Sequence, residues 1–254
     1  MKIVVCIKNV AMLGDEVDFN PDGRDVDPDY LEFALNEWDT YATEEALRIR
    51  EAAGDGEVVI VSVGDGDAEK AMRRCLAMGA DRAIRIEGDG IATGDPITTA
   101  RALAGVVRSE SPDLVFCGVQ SSDAVQGATG TALAELLGLP GVAVVKNLEW
   151  SPGAAKAVAH RELEGGLVDV TEVDTPAVLT IQTGINEPRY ANLRAIKQAE
   201  QQEIVVTPPG DLGAPTASVR RMFVPPRGTG AEIIGTDPAE IARRIKGLVE
   251  EKLR

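Results

Sequence analysis

Two turns in this sequence have the residue types to hold an anion. The longer comprises Gly118-Val119-Gln120-Ser121-Ser122-Asp123 and then Gln126-Gly127-Ala128-Thr129-Gly130-Thr131, ahead of a helical pattern over Ala132 to Leu137. Small residues let the backbone approach phosphate oxygens, while Ser121, Ser122, Thr129 and Thr131 offer hydroxyl donors without adding charge. That chemistry is nucleotide binding, and the alternative is a polar loop ending in a helix N-cap. The shorter turn, Gly64-Asp65-Gly66, also precedes a helical pattern, but Asp65 and Asp67 would repel a phosphate, and a plain tight turn is the preferred reading. Hydrolysis has no candidate machinery. His160 is the single histidine, stands in an alternating segment without an obvious partner and reads as structural, and Asp123 has neither a paired acid nor a nucleophile motif. One histidine also excludes histidine metal clusters, and Asp15 to Asp29 reads as a solvated acidic loop without EF-hand spacing. No catalytic residue and no metal site are expected.

The elements that must position these turns are legible as short apolar runs alternating with segments of helical period. Ile3 to Ile7, Val58 to Val63, Leu114 to Cys117 and Ala177 to Ile181 read as strands buried on both faces. A helix from about Thr40 to Ala53 presents Ala42, Ala46, Ile49 and Ala53 inward and Glu44, Glu45, Arg48 and Arg50 outward, with Gly54 ending it. Ala68, Ala71, Met72, Cys75 and Leu76 recur on one helical face, and Gly79 stands where a left-handed C-cap is wanted. Asp95-Pro96 opens a third helix with Ile97, Ala100, Ala104 and Val107 inward. Ala157 to Leu163 and Leu167 to Val173 flank Gly165-Gly166 as the arms of a hairpin. The fold class is therefore α/β, a mostly parallel doubly wound sheet with an antiparallel hairpin insert. Beyond Thr207 the pattern gives way to Pro208-Pro209-Gly210, Pro225-Pro226-Arg227 and Gly228-Thr229-Gly230, then a last helix from Pro238 to Leu253. We expect an α/β domain over residues 1–206 and an extended C-terminal arm over residues 207–254 that docks on a partner.

Composition narrows the function classes. A formal charge of −15 over 254 residues argues against a nucleic-acid ligand, which needs a basic stripe. Cys6, Cys75 and Cys117 form no disulfide framework or CxxC centre and fit a reducing cytoplasm. Lys8 cuts the first apolar run too short for a signal peptide, and nothing later approaches the roughly 20 apolar residues that span a bilayer. A cytoplasmic protein without membrane insertion is expected.

Four ordered segments carry a family resemblance. Ile185-Asn186-Glu187-Pro188-Arg189-Tyr190-Ala191-Asn192-Leu193 resembles the recognition loop of electron-transfer flavoprotein beta subunits. Arg161-Glu162-Leu163-Glu164-Gly165-Gly166-Leu167 with Pro176-Ala177-Val178-Leu179-Thr180 is similar to the family's signature, Val168 departing where an acid or amide is common. Leu76 to Arg82 and Thr43 to Leu47 extend the resemblance over Met1 to about Ala199. It implies an adenine-nucleotide-binding type of sheet, in a heterodimer whose alpha subunit carries most of an FAD site that this chain closes. The complex would take electrons from acyl-CoA or related dehydrogenases and pass them toward a membrane quinone oxidoreductase, this chain being an electron-carrier subunit and not itself an enzyme. Residues 185–199 would be the recognition loop, with Asn186, Glu187, Pro188, Arg189, Tyr190 and Leu193 meeting the dehydrogenase and Leu193 as its apolar anchor. The alternative for Leu193 is a core position of the helix that begins there.

The same resemblance implies an AMP inside this subunit, or a second FAD, with NADH as donor, in electron-bifurcating members. Gly118, Gln120, Asp123, Gln126, Gly127, Thr129, Gly130 and Thr131 would hold it, with Cys6, Asn36, Ser62 and Val63 along the adenosine side. Asp123 followed six residues on by Thr129-Gly130 suits AMP, although Ala124, Val125 and Gln126 match neither pattern. The C-terminal arm would embrace the alpha subunit. A function from another class, a stand-alone adenine-nucleotide sensor, uses the same architecture.

Overall fold

The computed structural model describes residues 1–12, 17–27, 31–88, 91, 95–226, 228, 230–231 and 233–253. Asp15 and Asp29 of the acidic stretch, and Arg227 and Thr229 of the expected linker, lie outside these. In chain order the elements are β1 (Lys2–Ile7), β2 (Asn9–Met12), β3 (Glu32–Leu35), α1 (Glu37–Ala53), β4 (Glu57–Val63), α2 (Ala68–Met78), β5 (Arg82–Ile86) and α3 (Pro96–Glu110). They continue with β6 (Leu114–Gly118), α4 (Thr129–Leu137), β7 (Gly141–Glu149), β8 (Lys156–Glu162), β9 (Val168–Asp174), β10 (Ala177–Ile181), α5 (Leu193–Ala199), β11 (Ile204–Thr207) and α6 (Pro238–Lys252).

The main sheet runs β11-β5-β4-β1-β6-β10-β7-β8-β9. Every pair from β11 to β7 is parallel, and β8 and β9 join antiparallel. Strand alternation divides the core in two. Ile3 and Val5 point with Ile60, Phe116 and Leu179 to the face covered by Leu47 of α1 and Met72 of α2. Val4 and Cys6 point with Val59 and Val115 to the face covered by Leu103 of α3 and Leu133 of α4. The sheet is thus doubly wound, as the continuous β-branched runs require. From β1 the chain steps outward to β4 and β5, then returns through α3 to β6 on the other side of β1. The strand order therefore reverses between β1 and β6.

Ala68, Ala71, Met72, Cys75 and Leu76 are all buried, and Gly79 follows at φ 124. Asp95 caps α3, accepting from the Ile97 N–H at 3.0 Å. The hairpin of β8 and β9 turns through Glu164–Gly166 in a 3₁₀ turn with Gly165 at φ 78 and Gly166 at φ 76. Other expectations need correction. Helix α1 begins at Glu37 instead of Thr40, its Ala53 is exposed, and Glu44, assigned to the outer face, is buried. Helix α4 begins at Thr129 instead of Ala132, because the first turn makes few intrahelical N–H bonds and tolerates Thr and Gly. His160 has a partner, its Nε2 lying 3.6 Å from Glu149 Oε1 on the neighbouring strand. Strands β5, β7 and β11 and the small sheet of β2 with β3 were not anticipated.

The compact units divide between Met222 and Phe223, later than the break expected after residue 206. Residues 207–222 are held to the first unit by polar contacts that a proline count does not reveal. Arg101 Nη1 donates to the carbonyls of Leu212 and Ala214, both at 2.9 Å. The Thr216 N–H donates to Asp95 Oδ2 at 2.7 Å, and its hydroxyl lies 3.0 Å from both carboxylate oxygens. The second unit carries α6, capped by Asp237, whose carboxylate accepts from the N–H groups of Ala239 and Glu240. Among the described residues no helix is long and apolar enough to cross a membrane.

Asp95 thus serves as helix cap and as latch. Burial disfavours its charge, but the Thr216 and Ile97 N–H groups and the Thr98 and Thr216 hydroxyls outweigh it and hold the carboxyl well below its ordinary range. A carboxyl depressed in the folded state stabilises above its unfolded pKa, and that contribution disappears as pH falls through the native value. Asp95→Ala should destabilise the protein by about 2 kcal/mol or more at pH 7, expose residues 207–222 to limited proteolysis, and show a shrinking deficit as the pH of urea titrations is lowered below about 4.

Candidate functional site

At the carboxyl ends of β1 and β6, where an open parallel sheet binds its ligands, the two strands are tied together by a buried carboxylate. Asp39, in the first turn of α1, accepts the Lys8 N–H at 2.7 Å on Oδ2 and the Gly118 N–H at 3.0 Å on Oδ1. Burial pushes its pKa from 3.8 up to about 7, against the opposing hydrogen bonds from Lys8, Asn36 and Gly118 and the charge of Lys8. Residue 118 must be glycine here, because a Cβ would stand 2.3 Å from Asp39 Oδ1 and 2.7 Å from Trp38 Cβ.

Asn36, at the N-cap position, makes no side-chain cap to its own helix. Its amide instead reaches across the cleft. Nδ2 donates to the Gln120 carbonyl at 2.8 Å, and Oδ1 accepts the Ser122 N–H at 3.3 Å. Its own N–H donates to the Lys8 carbonyl at 3.0 Å. The loop after β6 is thereby suspended from the end of β1. Lys8 Nζ reaches Asp123 Oδ1 at 2.7 Å and Ser121 Oγ at 3.4 Å. Burial works against the Asp123 charge, but hydrogen bonds from Lys8 and Ser121 and the Lys8 charge prevail and hold its carboxyl below the ordinary range.

Beyond Asp123 the loop turns twice through left-handed backbone, at Val125 (φ 52) and Gly127 (φ 60), and for the β-branched, exposed Val125 that conformation is strained. It then enters α4 with Ala128 in the cap position and no side-chain cap, so no cap side chain occupies the positive end of the helix dipole. Gly130 is buried in that first turn, where a Cβ would meet Thr180 Cγ2 at 2.5 Å. The Thr131 hydroxyl donates to the Ala128 carbonyl, leaving its side chain exposed, while Gln126 is exposed and Thr129 half-buried.

Cys6 and Cys117 are register neighbours beneath this cleft. The hydrogen bond to Cys117 and burial both push the Cys6 thiol well up, so it lines the floor as a neutral small group. Ser62 is buried with its hydroxyl donating to the Ile7 carbonyl at 3.0 Å, and Val63 ends β4 on the far side of β1. The ends of β1 and β6 thus bring Cys6, Asn36, Gly118, Gln120 and Asp123 together, with Ser62 and Val63 on the adjoining β4, whereas Gly130 and Thr131 line a pocket of about 230 Å³ with residues of α4, β7 and β10. Sequence reasoning missed Lys8 and Asp39. The signal for Lys8 was the charge that ends the first apolar run, and for Asp39 an acid in the first turn of a helix after a strand.

The segment 185–199 lies elsewhere and separates into anchors and presented side chains. Asn186 Nδ2 donates to the Tyr41 carbonyl at 3.1 Å and to Glu45 Oε2 at 2.9 Å. Arg189 grips α1 with Nε and Nη2 on Glu44 at 2.8 and 3.0 Å and Nη1 and Nη2 on Glu51 at 2.5 and 2.9 Å. Its hydrogen bonds to Glu51 and Glu44 outweigh partial burial and raise the Arg189 pKa further, and its bond to Glu51 holds that carboxyl low. Pro188 is half-buried, Glu187 is exposed, and Tyr190 and Leu193 are 96% and 79% exposed. That exposure removes the core alternative for Leu193, which instead opens α5 behind the Asn192 cap. Beside this tip runs a groove of about 410 Å³ between α2 and α5, lined in part by Lys70, Arg74, Met78, Tyr190 and Ile196.

A doubly wound, mostly parallel sheet with its strand order reversed between β1 and β6 defines an α/β protein, and comparison with known proteins specifies which. Residues 26–212 match the electron transfer flavoprotein domain. The electron transfer flavoprotein subunit beta of Methylophilus methylotrophus is 44% identical over 262 aligned positions, covering 99% of each chain. That of Bradyrhizobium diazoefficiens is 34% identical over 97% of this chain and 98% of its own, and the caffeyl-CoA reductase-Etf complex subunit CarD of Acetobacterium woodii is 31% identical over 99% of each. The chain belongs to the electron transfer flavoprotein family, as a beta subunit.

The Asp39 clamp makes two predictions. Gly118→Ala should cost about 2 kcal/mol or more, since the added methyl must displace the carboxylate from both N–H groups. For Asp39 itself the folded pKa is raised, so the folded state holds more protons than the unfolded between pH 4 and 7, and this group's contribution to stability falls as pH rises through that window. Asp39→Asn removes that slope. Urea midpoints of both proteins should show the wild-type advantage largest near pH 4 and smaller at pH 8, and a constant difference would contradict the assignment.

Proposed function

We propose that this chain closes the FAD site of a flavin-carrying alpha subunit, holds one AMP in the cleft between β1 and β6, and receives electrons from acyl-CoA or related dehydrogenases docked at Leu193. The complex would pass them toward a quinone oxidoreductase at the membrane, and the arm from Phe223 onward would dock on the alpha subunit. The observation that carries the nucleotide reading is the uncapped α4 N-terminus facing a loop hung from Asn36 at the point where the strand order reverses. Flavin, when bound, supplies one- and two-electron chemistry. This chain's own part is to enclose, orient and present.

The anchors and the exposed pair Tyr190 and Leu193 support the docking role, because a fixed backbone presenting an isolated apolar side chain is how a hot spot avoids an ordering cost on binding. Leu193→Ala should lower kcat/KM for reduction by an acyl-CoA dehydrogenase by about tenfold or more while leaving FAD content and unfolding midpoint unchanged. Equal kcat/KM would remove Leu193 from the interface.

Co-expression with the alpha partner and chromatography of the released nucleotides tests the whole reading. One FAD and one AMP per heterodimer is the expected result. Two FAD would instead indicate the electron-bifurcating type, and a stable nucleotide-binding monomer that ignores the alpha chain would indicate a free-standing sensor.

A further inference from the structure

We propose that Lys8 is the residue by which the cleft selects a nucleoside monophosphate over an unphosphorylated nucleoside, its ammonium turning from Asp123 to the phosphate when the ligand enters. The inference rests on the nucleotide reading above and adds to it the group that reads the charge. Across the segments that line the cleft, residues 6–9, 36–39, 62–64 and 118–131, Lys8 is the only cationic side chain. An acidic residue on a phosphate-binding loop is a contradiction unless something neutralises it, and the ammonium does so at 2.7 Å.

The position of Lys8 is fixed at its root and free at its tip. Its N–H is held by Asp39 and its carbonyl by the Asn36 N–H, whereas its side chain is half-exposed. The Lys8 side chain is 46% exposed and that of Asp123 19%, so the ammonium is the half of the pair that water reaches and that is free to change partners. A phosphate monoester, with close to two negative charges at neutral pH, is a stronger partner than one carboxylate. Ser121 Oγ, already 3.4 Å from Nζ, keeps the ammonium hydrogen-bonded during the exchange. Nearby, the uncapped first turn of α4 offers N–H groups to the same phosphate. Asp123 is then the resting counter-ion that keeps Lys8 extended over the loop in the empty subunit.

The test uses the heterodimer, unfolded and refolded with FAD in the presence of either AMP or adenosine, with bound nucleoside counted per FAD. Wild type should favour AMP over adenosine by about tenfold or more, Lys8→Arg should keep most of that preference, and Lys8→Gln should bring the ratio to within about threefold of unity. Asp123→Asn should raise the AMP preference, because the competing carboxylate is gone. A Lys8→Gln protein with wild-type discrimination overturns the proposal. So does an Asp123→Asn protein with weakened AMP preference, which would make the pair a structural latch, and this variant decides the matter if Lys8→Gln does not assemble. A wild-type heterodimer that takes up FAD but neither AMP nor adenosine overturns the nucleotide reading itself.

Discussion

The cleft depends on one carboxylate that accepts backbone N–H groups from two strands at once. Parallel strands β1 and β6 are hydrogen-bonded along their length, but their chains part at Lys8 and Gly118, where the ladder ends and the last N–H groups would otherwise face a partly dry interior. Asp39 satisfies both, and leaving such donors unpaired costs about 1–3 kcal/mol each. Because α1 carries Asp39 and Asn36 three residues apart at its start, the same helix terminus fixes the strand ends and hangs the following loop. The exclusion of any Cβ at residue 118 follows from that geometry and not from a need for backbone freedom.

A second tie acts on the same helix from its other side. Arg189 makes paired contacts to Glu44 and Glu51, and Glu44 is buried beneath it. A buried carboxylate is expensive unless paired with several donors, so the helix and the loop constrain one another: α1 cannot keep Glu44 inward without Arg189, and the loop is held by that pairing. What the loop shows to solvent, Tyr190 and Leu193, is therefore presented from a fixed frame. Segments whose function is contact usually carry this division between residues that hold and residues that meet, and the holders here, Asn186 and Arg189, are polar, while Tyr190 and Leu193 present mainly apolar surface.

The fold was legible because its signal is local. Ala177 to Ile181 was bounded to the residue, and the α2 face was read from spacing alone, since burial on both sides of a sheet leaves an unbroken apolar run and burial on one side of a helix leaves a period. Glu44 was misread for the same reason: a charge at a helical position argues for solvent until its partner, some 145 residues away in sequence, is placed. The attachment of residues 207–222 was hidden likewise, because Arg101 and Asp95 hold that segment through polar side-chain bonds that leave no hydrophobic pattern. At the site, the glycine- and hydroxyl-rich loop announced itself by composition, whereas Lys8 and Asp39 did not, since each is an ordinary residue whose role comes from the register of β1 against β6.

Charge shows how far local geometry can depart from the average. A net −15 argues against anions as ligands, yet the potential at a cleft is set by groups within about 8–10 Å, beyond which salt screens exposed charges. At the strand ends the lining segments carry one ammonium, Lys8, paired with the Asp123 carboxylate, together with Glu37 and the start of α4, and Arg85 reaches the Gly64 carbonyl from the neighbouring strand. Asp39 alters the sum only in part, because burial favours its proton and two N–H dipoles already point at it. A phosphate at these strand ends would meet Lys8 and the start of α4 at short range, whatever the average charge of the surface. The large negative charge then acts at long range, on solubility and on the approach of other proteins, and leaves the chemistry of the cleft to Lys8 and the loop.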